Sequence, residues 1–228
     1  MLCGQVKVLL QKKAINAGQV LLAQKDVSLA PIHLRARAGL AYLPQEKSIF
    51  RRLTVRDNLR AVLELRVDFN EAQRTAKIDH LITTYELEHV QQSLGQHLSG
   101  GERRRLEIAR CLVMDPKIVL LDEPFAGIDV QTEDQIISLL SELRSEGRVM
   151  LVSTHNLGSV AEFCDRTILI KGTVLNFGLT EEVFTSENLE KAFGGVLRHF
   201  SLGGRDLHED GDSREVSIFS DDGETVPL

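Results

Sequence analysis

Three short apolar runs predict buried β-strands. They span residues 38–43, 118–121 and 149–152, and Pro44 ends the first of them. Helical patterns separate the second run from the third. This order of strand, helix and strand predicts a βαβ unit, and therefore a parallel sheet that is buried on both faces.

Four further segments carry apolar residues at helical spacing, each after a residue that can cap a helix. The first two helices are expected over residues 54–66 and 70–84, and Pro116 is expected to end the third. The predicted caps are Thr54, Asn70, Ser99 and Thr132, the last as a capping box with Gln135. Residues expected to face inward are Val55, Leu59, Val62 and Leu63, then Ile78, Leu81 and Ile82, then Leu106, Ile108, Ala109 and Leu112, then Ile136, Ile137, Leu139, Leu140 and Leu143.

Two more strand patterns lie outside this central region. Residues 167–170 and 174–177, around Lys171-Gly172-Thr173, predict a hairpin. Residues 6–10 have the composition of a strand. Residues 203–228 are rich in Asp, Gly and Ser and poor in periodic apolar residues, so this tail is predicted to be disordered.

Composition narrows the possible roles. A hydrophobic fraction of 43% in 228 residues is enough for a large core, yet the longest apolar runs have only the length of a strand. Lys7, Lys12 and Lys13 interrupt or follow the apolar stretch near the N-terminus, which does not have the plan of a signal peptide. Any role at a membrane is therefore expected to come through a partner protein.

Charge and cysteine content add two expectations. The net charge of −6 equals that of residues 203–228 alone, which hold eight acidic residues and two arginines, so the body is near neutral. A nucleic-acid partner usually brings a basic surface, and none is expected here. The three cysteines Cys3, Cys111 and Cys164 have no paired spacing, which favours reduced thiols and a cytosolic protein.

A pair of carboxylates ends the second apolar run. Asp122 and Glu123 follow Ile118-Val119-Leu120-Leu121 and would lie at the carboxyl edge of the sheet, where ligands of open α/β sheets bind. Asp122 is a candidate ligand of Mg²⁺, and Glu123 is a candidate to polarise an attacking water. A strand that simply ends in a polar turn is the alternative.

Four weaker signals accompany this pair. Ser99-Gly100-Gly101-Glu102 opens a helix and could offer backbone N–H groups to an anion, although an ordinary N-cap has the same pattern. Gln45 could bind Mg²⁺ or a water, or be a loop amide in solvent. His155 could bind a γ-phosphate, or be structural. Asp129 is a turn residue that could reach across a dimer.

The order of these motifs carries a resemblance that none of them carries alone. Gln45, Leu98-Ser99-Gly100-Gly101-Glu102, Leu121-Asp122-Glu123-Pro124, Asp129 and His155 resemble the Q-loop, signature, Walker B, D-loop and H-loop of ATP-binding-cassette (ABC) ATPases. The resemblance covers residues 18 to about 200. It implies a P-loop NTPase-like α/β domain with a parallel sheet and a helical subdomain near residues 46–110, and ATP and Mg²⁺ as cofactors.

The resemblance also implies partners and a location. ABC ATPases dimerise, so that each nucleotide lies between the Walker motifs of one subunit and the signature of a second ATPase subunit, the same or different. They act with the transmembrane subunits of a transporter, which places such a chain in the cytoplasm against the inner face of the membrane.

Two subfamilies are resembled by different parts of the chain. Residues 18–127, with Tyr42-Leu43-Pro44-Gln45-Glu46 and Ser48-Ile49-Phe50-Arg51-Arg52-Leu53, are similar to the lipopolysaccharide-export ATPases. Residues 130–228, with Ser153-Thr154-His155-Asn156 and Ala192-Phe193-Gly194-Gly195, are similar to manganese, iron and zinc uptake ATPases. A hybrid chain with a seam near Gly127 and an unsampled subfamily both fit.

The sequence contains no G-x-x-x-x-G-K-[ST] phosphate loop (Walker A). In the family this loop lies about one helix before the position of Gly18, so the domain is expected to be N-terminally truncated, with an atypical segment at residues 1–17. Phosphoryl transfer depends on the charges and N–H groups that this loop supplies. We therefore expect the chain to complete a nucleotide site only with a complete partner subunit, and to complete none when it pairs with itself.

Three functions remain open on these grounds. The first is the ATPase subunit of a lipopolysaccharide exporter, and the second is that of a metal-uptake system. The third is a truncated or hybrid product that is not an enzyme. A soluble ABC protein of DNA repair or translation is disfavoured by the near-neutral body and the single cassette.

Overall fold

The computed structural model describes residues 20–22, 24–193, 217–219 and 225–227. These residues divide into two compact units, with the boundary between Ser153 and Thr154. Among the described helices, none combines the length and the apolar composition that a membrane span requires.

The first unit alternates strands and helices. Two short 3-10 turns, Glu88–Val90 and Gly95–His97, precede its fourth helix. In chain order the elements are β1 (Leu21–Leu22), β2 (Lys25–Asp26), α1 (Ile32–Arg37), β3 (Leu40–Leu43), α2 (Val55–Leu63), α3 (Glu71–Thr84), α4 (Gly100–Leu112), β4 (Ile118–Asp122), α5 (Val130–Ser145) and β5 (Val149–Ser153).

Strands β3, β4 and β5 form a parallel sheet with β4 in the centre, as the apolar runs predict. Burial on both faces holds for β4, where Val119, Leu120 and Leu121 are all buried. It is wrong for β5, whose Val149 is 60% exposed. Val149 is the first residue of β5, and the next three residues are half-buried, like Leu40, Ala41 and Tyr42 in β3.

Helices α2 and α3 begin where the capping residues predict. The Thr54 side chain accepts a hydrogen bond from the N–H of Asp57, and Asn70 forms a capping box with Gln73. The inward-facing residues of both helices are buried, except that Val62 is only half-buried. Amphipathic spacing and a local cap therefore account for both helices.

The predicted capping box of Thr132 and Gln135 is wrong. Helix α5 begins two residues earlier, at Val130, and its N-cap is Asp129. The Asp129 carboxylate accepts the backbone N–H of Thr132 at 2.9 Å and its hydroxyl at 2.8 Å. A carboxylate with two oxygens satisfies both donors, and Thr132 consequently lies inside the first turn.

The second unit contains the predicted hairpin. Strands β6 (Arg166–Lys171) and β7 (Thr173–Leu179) pair antiparallel around Gly172, which has a φ of 74°. The helices α6 (Val160–Phe163), α7 (Thr180–Val183) and α8 (Ser186–Phe193) accompany it. The core of this unit consists of Val160, Leu169, Val183, Phe184, Leu189 and Ala192.

Two expectations fall wholly or largely outside the described residues. The predicted strand at residues 6–10 is one. Within the tail, β8 (Ser217–Phe219) and β9 (Thr225–Pro227) pair antiparallel, and the rest of residues 203–228 is not described. Disorder of the tail stays a prediction.

Candidate functional site

Asp122 is buried at the carboxyl end of the central strand, with no exposed surface. Both neighbouring strands hold its carboxylate. The hydroxyl of Tyr42 in β3 donates to Oδ2 at 3.1 Å, and the hydroxyl of Ser153 in β5 donates to Oδ1 at 2.7 Å. Each oxygen keeps a second acceptor position, so the carboxylate is oriented without being saturated.

Glu123 follows in an unusual backbone conformation. Its φ is 48°, in the left-handed region that glycine favours, and the residue is only 5% exposed. Its N–H donates to the carbonyl of Ser153 at 2.9 Å, which continues the pairing of β4 with β5. Such strain concentrates at functional turns and requires support from neighbouring structure.

Gln45 lies at the same edge of the sheet as this carboxylate pair. It comes two residues after β3, and Leu43 pairs with Leu121 one residue before Asp122. Gln45 is exposed, so its side-chain amide is accessible to a ligand from solution. Parallel register therefore brings the candidates Gln45, Asp122 and Glu123 to one edge.

Ser99 and Glu102 form a reciprocal capping box at the start of α4. The Glu102 carboxylate accepts the Ser99 N–H at 2.8 Å, and the Ser99 hydroxyl accepts the Glu102 N–H at 3.3 Å. His89 contacts the other carboxylate oxygen at 3.0 Å. Burial acts to raise the pKa of Glu102, but hydrogen bonds from Ser99 and His89 outweigh it and leave this pKa below its usual value.

Of the two glycines after Ser99, Gly101 is required by packing and Gly100 lies in a tight contact. A Cβ on Gly101 would lie 2.5 Å from Oγ1 of Thr132, and one on Gly100 would lie 3.2 Å from the carbonyl oxygen of Gly127. The start of α4 therefore rests directly on the loop and helix that carry Asp129. The sequence pattern suggested an anion site here and missed this close approach.

Asp129 and His155 differ in their surroundings. Asp129 is engaged as the N-cap of α5, and its hydrogen bonds from Thr132 hold the pKa of its carboxyl below the usual value. His155 belongs to the second unit, two residues after the end of β5, and is exposed. Among the described residues, no cluster of His, Cys, Asp and Glu forms a metal centre by itself.

Sequence reasoning missed a buried ion pair between Arg104 and Glu107 on α4. Nη1 of Arg104 lies 3.0 Å from Oε2 of Glu107, and the two side chains are 6% and 3% exposed. No local signal marks this pair, because on an ideal helix Glu107 falls opposite the predicted apolar face of α4 and Arg104 falls beside that face. The burial of the pair therefore comes from the tertiary packing around α4.

Comparison with known proteins gives a consistent result. The ABC transporter family model matches residues 5–126. The chain is 44% identical over 181 residues to the lipopolysaccharide export system ATP-binding protein LptB of Haemophilus influenzae, which covers 79% of this chain and 75% of that protein. It is 41% identical over 213 residues to the chelated iron transport system membrane protein YfeB of Yersinia pestis, which covers 91% of this chain and 70% of that protein.

Solved structures agree on the fold. The cbiO1 subunit of the ABC transporter complex cbiONQ, from Clostridium perfringens, superposes with a TM-score of 0.71 at 23% identity, over 86% of this chain and 82% of that one. A dimeric ATP-binding cassette bound to ADP and phosphate, MJ0796, gives 0.68 at 23% identity, over 77% and 79%. The expected α/β fold class is thereby confirmed. With a family model over more than half its length and relatives above 40% identity over more than two thirds of it, the chain belongs to the ABC transporter family of ATP-binding subunits.

Proposed function

We propose that this chain energises a lipopolysaccharide-export type of transporter through ATP binding and hydrolysis at a site shared with a second ATPase subunit. The observation that carries the chemistry is the pair Asp122 and Glu123 at the end of a buried parallel strand. The observation that favours this substrate class is the 44% identity to the export protein LptB.

Asp122 and Gln45 are the proposed Mg²⁺ ligands. A carboxylate and an amide oxygen suit this hard cation, and the lone pairs of Asp122 that Tyr42 and Ser153 leave open fit such a role. Bound Mg²⁺ would neutralise charge on the phosphates. Tyr42 and Ser153 would hold the carboxylate in one orientation. Such preorganisation of polar groups is a main source of catalytic stabilisation.

Glu123 is the proposed base that polarises the attacking water, and His155 is proposed to bind the γ-phosphate. Ser99, Gly100, Gly101 and Glu102, with Asp129, would act on the nucleotide held by the partner subunit. These 228 residues contain no phosphate loop. The N–H groups and the lysine that such a loop supplies to the phosphates are therefore not provided by these residues.

The segment after Gln45 is the proposed docking surface for the transmembrane subunits. Phe50 and Leu53 are 46% and 37% exposed, and Arg51 and Arg52 are exposed between them. Asn58, fully buried, holds this segment by accepting the N–H of Phe50 at 2.8 Å and donating to its carbonyl at 3.0 Å. Docking here would place the chain on the inner face of the membrane through these subunits.

Co-purification with membrane subunits tests the proposal. We expect the chain to assemble with the transmembrane subunits of a lipopolysaccharide exporter, and Leu53→Ser to weaken that assembly. Leu65→Ser is a matched control, because Leu65 is a 67% exposed leucine just beyond the other end of α2. Assembly that resists the change at Leu53, or that responds equally at Leu65, would contradict the docking surface.

Metal uptake is the second candidate, favoured by a specific observation. Similarity to the iron transport protein YfeB extends over 91% of this chain, against 79% for LptB. Parallel assays with the membrane subunits of a metal-uptake transporter separate the two candidates. Assembly and stimulated ATPase activity with only one set assigns the substrate class. Failure with both sets favours a product that is not an enzyme.

A further inference from the structure

The turn that carries Glu123 is held by one buried guanidinium. Arg104 donates from Nη2 to the carbonyl oxygens of Asp122 at 3.2 Å and Glu123 at 2.7 Å, and from Nε to that of Pro124 at 2.8 Å. These three successive carbonyls lie at the end of β4, around the left-handed residue Glu123. They share one donor group. Buried carbonyl groups need a hydrogen-bond donor, and Arg104 provides one to each of these three.

The same guanidinium also holds the segment that carries Gln45. Its Nη1 donates to the carbonyl of Pro44 at 3.2 Å and to Oε2 of Glu107 at 3.0 Å. Oε1 of Glu107 in turn accepts the backbone N–H of Ser48 at 2.8 Å. A guanidinium has five N–H donors, and Arg104 makes five contacts, so no donor is left over.

A second arginine fastens this segment further along. Arg110, on the same helix, donates to the carbonyl of Ser48 at 2.6 Å, and its guanidinium lies 4.5 Å from the ring centroid of Phe50. The proposed docking surface therefore begins on residues that are bonded to α4. Any displacement of residues 44–50 acts on α4 and, through Arg104, on the turn after β4.

We propose that Arg104 is a positioning residue for Glu123, and that with Glu107 it couples the backbone of residues 44–48 to that of residues 122–124. Only the catalytic consequence of this coupling rests on the proposed function. The coupling itself is a property of the fold and can be measured without nucleotide. It would let a membrane subunit bound at residues 44–53 set the place of the catalytic carboxylate.

Lysine cannot take the place of Arg104 in this arrangement. An ammonium group has three donors at one point, whereas the acceptors here lie on two separate segments. Arg104→Lys is expected to keep the charge beside Glu107 and to lose the carbonyls of the turn. The Arg104→Lys variant therefore separates loss of the coupling from loss of the positive charge.

Amide hydrogen exchange of the 228-residue chain tests the coupling. In Arg104→Met we expect exchange at Ser48, Glu123 and Ala126 to accelerate by about tenfold or more, since the supporting bonds of both segments are lost together. Arg105→Met is the matched control. Arg105 is the next residue of α4 and donates to Gln135 at 2.6 Å, away from both segments, so exchange at Ser48 and Glu123 should stay unchanged.

Glu107→Leu gives the decisive readout. Glu107 contacts Ser48 and Arg104, so faster exchange at Ser48 is expected whether or not the segments are coupled. Coupling predicts that Glu123 and Ala126 accelerate as well. Unchanged exchange at residues 123–126 in this variant would overturn the proposal.

General destabilisation has a separate signature. If exchange in α3 also accelerates in Arg104→Met, the Arg104→Lys variant decides. We expect it to open residues 123–126 while Ser48 stays protected by Glu107. Full protection of residues 123–126 in Arg104→Lys would show that the turn does not depend on the guanidinium, and would overturn the proposal.

The catalytic consequence is tested in the assembled complex with transmembrane subunits. Arg104→Lys should lower kcat and leave KM for ATP within about twofold, as expected for an effect on the reacting carboxylate alone. An unchanged kcat despite faster exchange at residues 123–126 would overturn the link to catalysis. Absence of ATPase activity in the unmodified complex would instead contradict the proposed function, and the exchange result would stand.

Discussion

At the scale of residues, the two neighbouring carboxylates Asp122 and Glu123 have different supports. Asp122 is oriented through its side chain, by hydroxyls from both flanking strands. Glu123 is oriented through its backbone, by the pairing to Ser153 and by Arg104. A fixed ligand and a base held in a strained turn suit the different tasks proposed for them.

Glu123→Gln tests the proposed base. The amide keeps the shape of the side chain but cannot accept a proton. In an assembly where the site beside Glu123 has a phosphate loop, we therefore expect kcat for ATP hydrolysis at that site to fall about 10²–10⁴-fold. Nucleotide binding should persist, which equilibrium binding of a labelled ATP would show. Glu142→Gln, on the exposed face of α5, is the control. Turnover at the unmodified rate in Glu123→Gln would remove Glu123 from the mechanism.

Glu102 predicts a pH dependence of stability. Its pKa lies below the ordinary value of 4.5, since hydrogen bonds from Ser99 and His89 outweigh the effect of burial. A carboxyl with a lowered pKa in the folded state stabilises that state above about pH 4.5, and the contribution is lost as the pH falls through the folded pKa. The denaturation midpoints of the unmodified protein and Glu102→Gln should therefore differ at pH 7 and converge in acid, below the folded pKa.

The exposed Glu46→Gln variant is the control for this comparison. It should show no such convergence. If the difference produced by Glu102→Gln is the same at both pH values, the charge of Glu102 does not stabilise the start of α4.

At the scale of elements, helices α4 and α5 meet through a glycine. Gly101 lies against Thr132, and Thr132 is itself bonded to the N-cap Asp129. The signature residues and the Asp129 loop of one subunit are thus packed together. Because this contact is closely packed, a displacement at the start of either helix would also displace the start of the other.

Gly101→Ala should lower the free energy of unfolding by about 1–3 kcal/mol, because the added methyl group overlaps Thr132. Gly100→Ala should cost less, since the nearest atom to its Cβ would be the carbonyl oxygen of Gly127, at 3.2 Å. The double variant Gly101→Ala with Thr132→Ala should recover part of the loss, which urea denaturation can measure. Equal losses for Gly100→Ala and Gly101→Ala would contradict the proposed overlap.

At the scale of the whole molecule, the motifs for one reaction belong to two nucleotide sites. Under the proposed function, Ser99 acts on the nucleotide of the partner subunit, whereas Asp122 and Glu123 act on the one beside them. The phosphate loop that the site of Asp122 and Glu123 requires is not among these residues. A complete ATPase subunit would bring its own loop, so in a mixed dimer activity is expected at the site that this loop shares with Ser99.

A mixed dimer tests this division of labour. With a complete relative such as LptB of Haemophilus influenzae carrying its own signature variant, activity should depend on the signature of this chain. Ser99→Arg in this chain should then abolish the remaining turnover, because the bulky cation would block the partner's nucleotide. Thr83→Arg, at an exposed position on α3, is the control and should have no effect. Equal ATPase rates for Ser99→Arg and Thr83→Arg would rule out the shared site.

Some features were predictable from the sequence because they depend on residues close together in the chain. The three strands, the hairpin and the caps Thr54, Asn70 and Ser99 follow from periodicity and from side chains that reach a backbone N–H three residues on. The order of the motifs along the chain was enough to identify the family. At the start of α5 the prediction of Thr132 as the cap was wrong, because the N-cap is Asp129.

Tertiary structure alone decided which residues support the site. Arg104 bonds to Pro44, 60 residues away in the sequence, and to Asp122, 18 residues away. Only glycine fits at position 101, because Thr132 of α5 lies against it. Nothing local distinguishes Arg104 from the arginines beside it, since a buried charge acquires its partners only when helix and sheet pack together. The sequence by itself determined the elements and the family, and packing determined how the Glu123 turn is held.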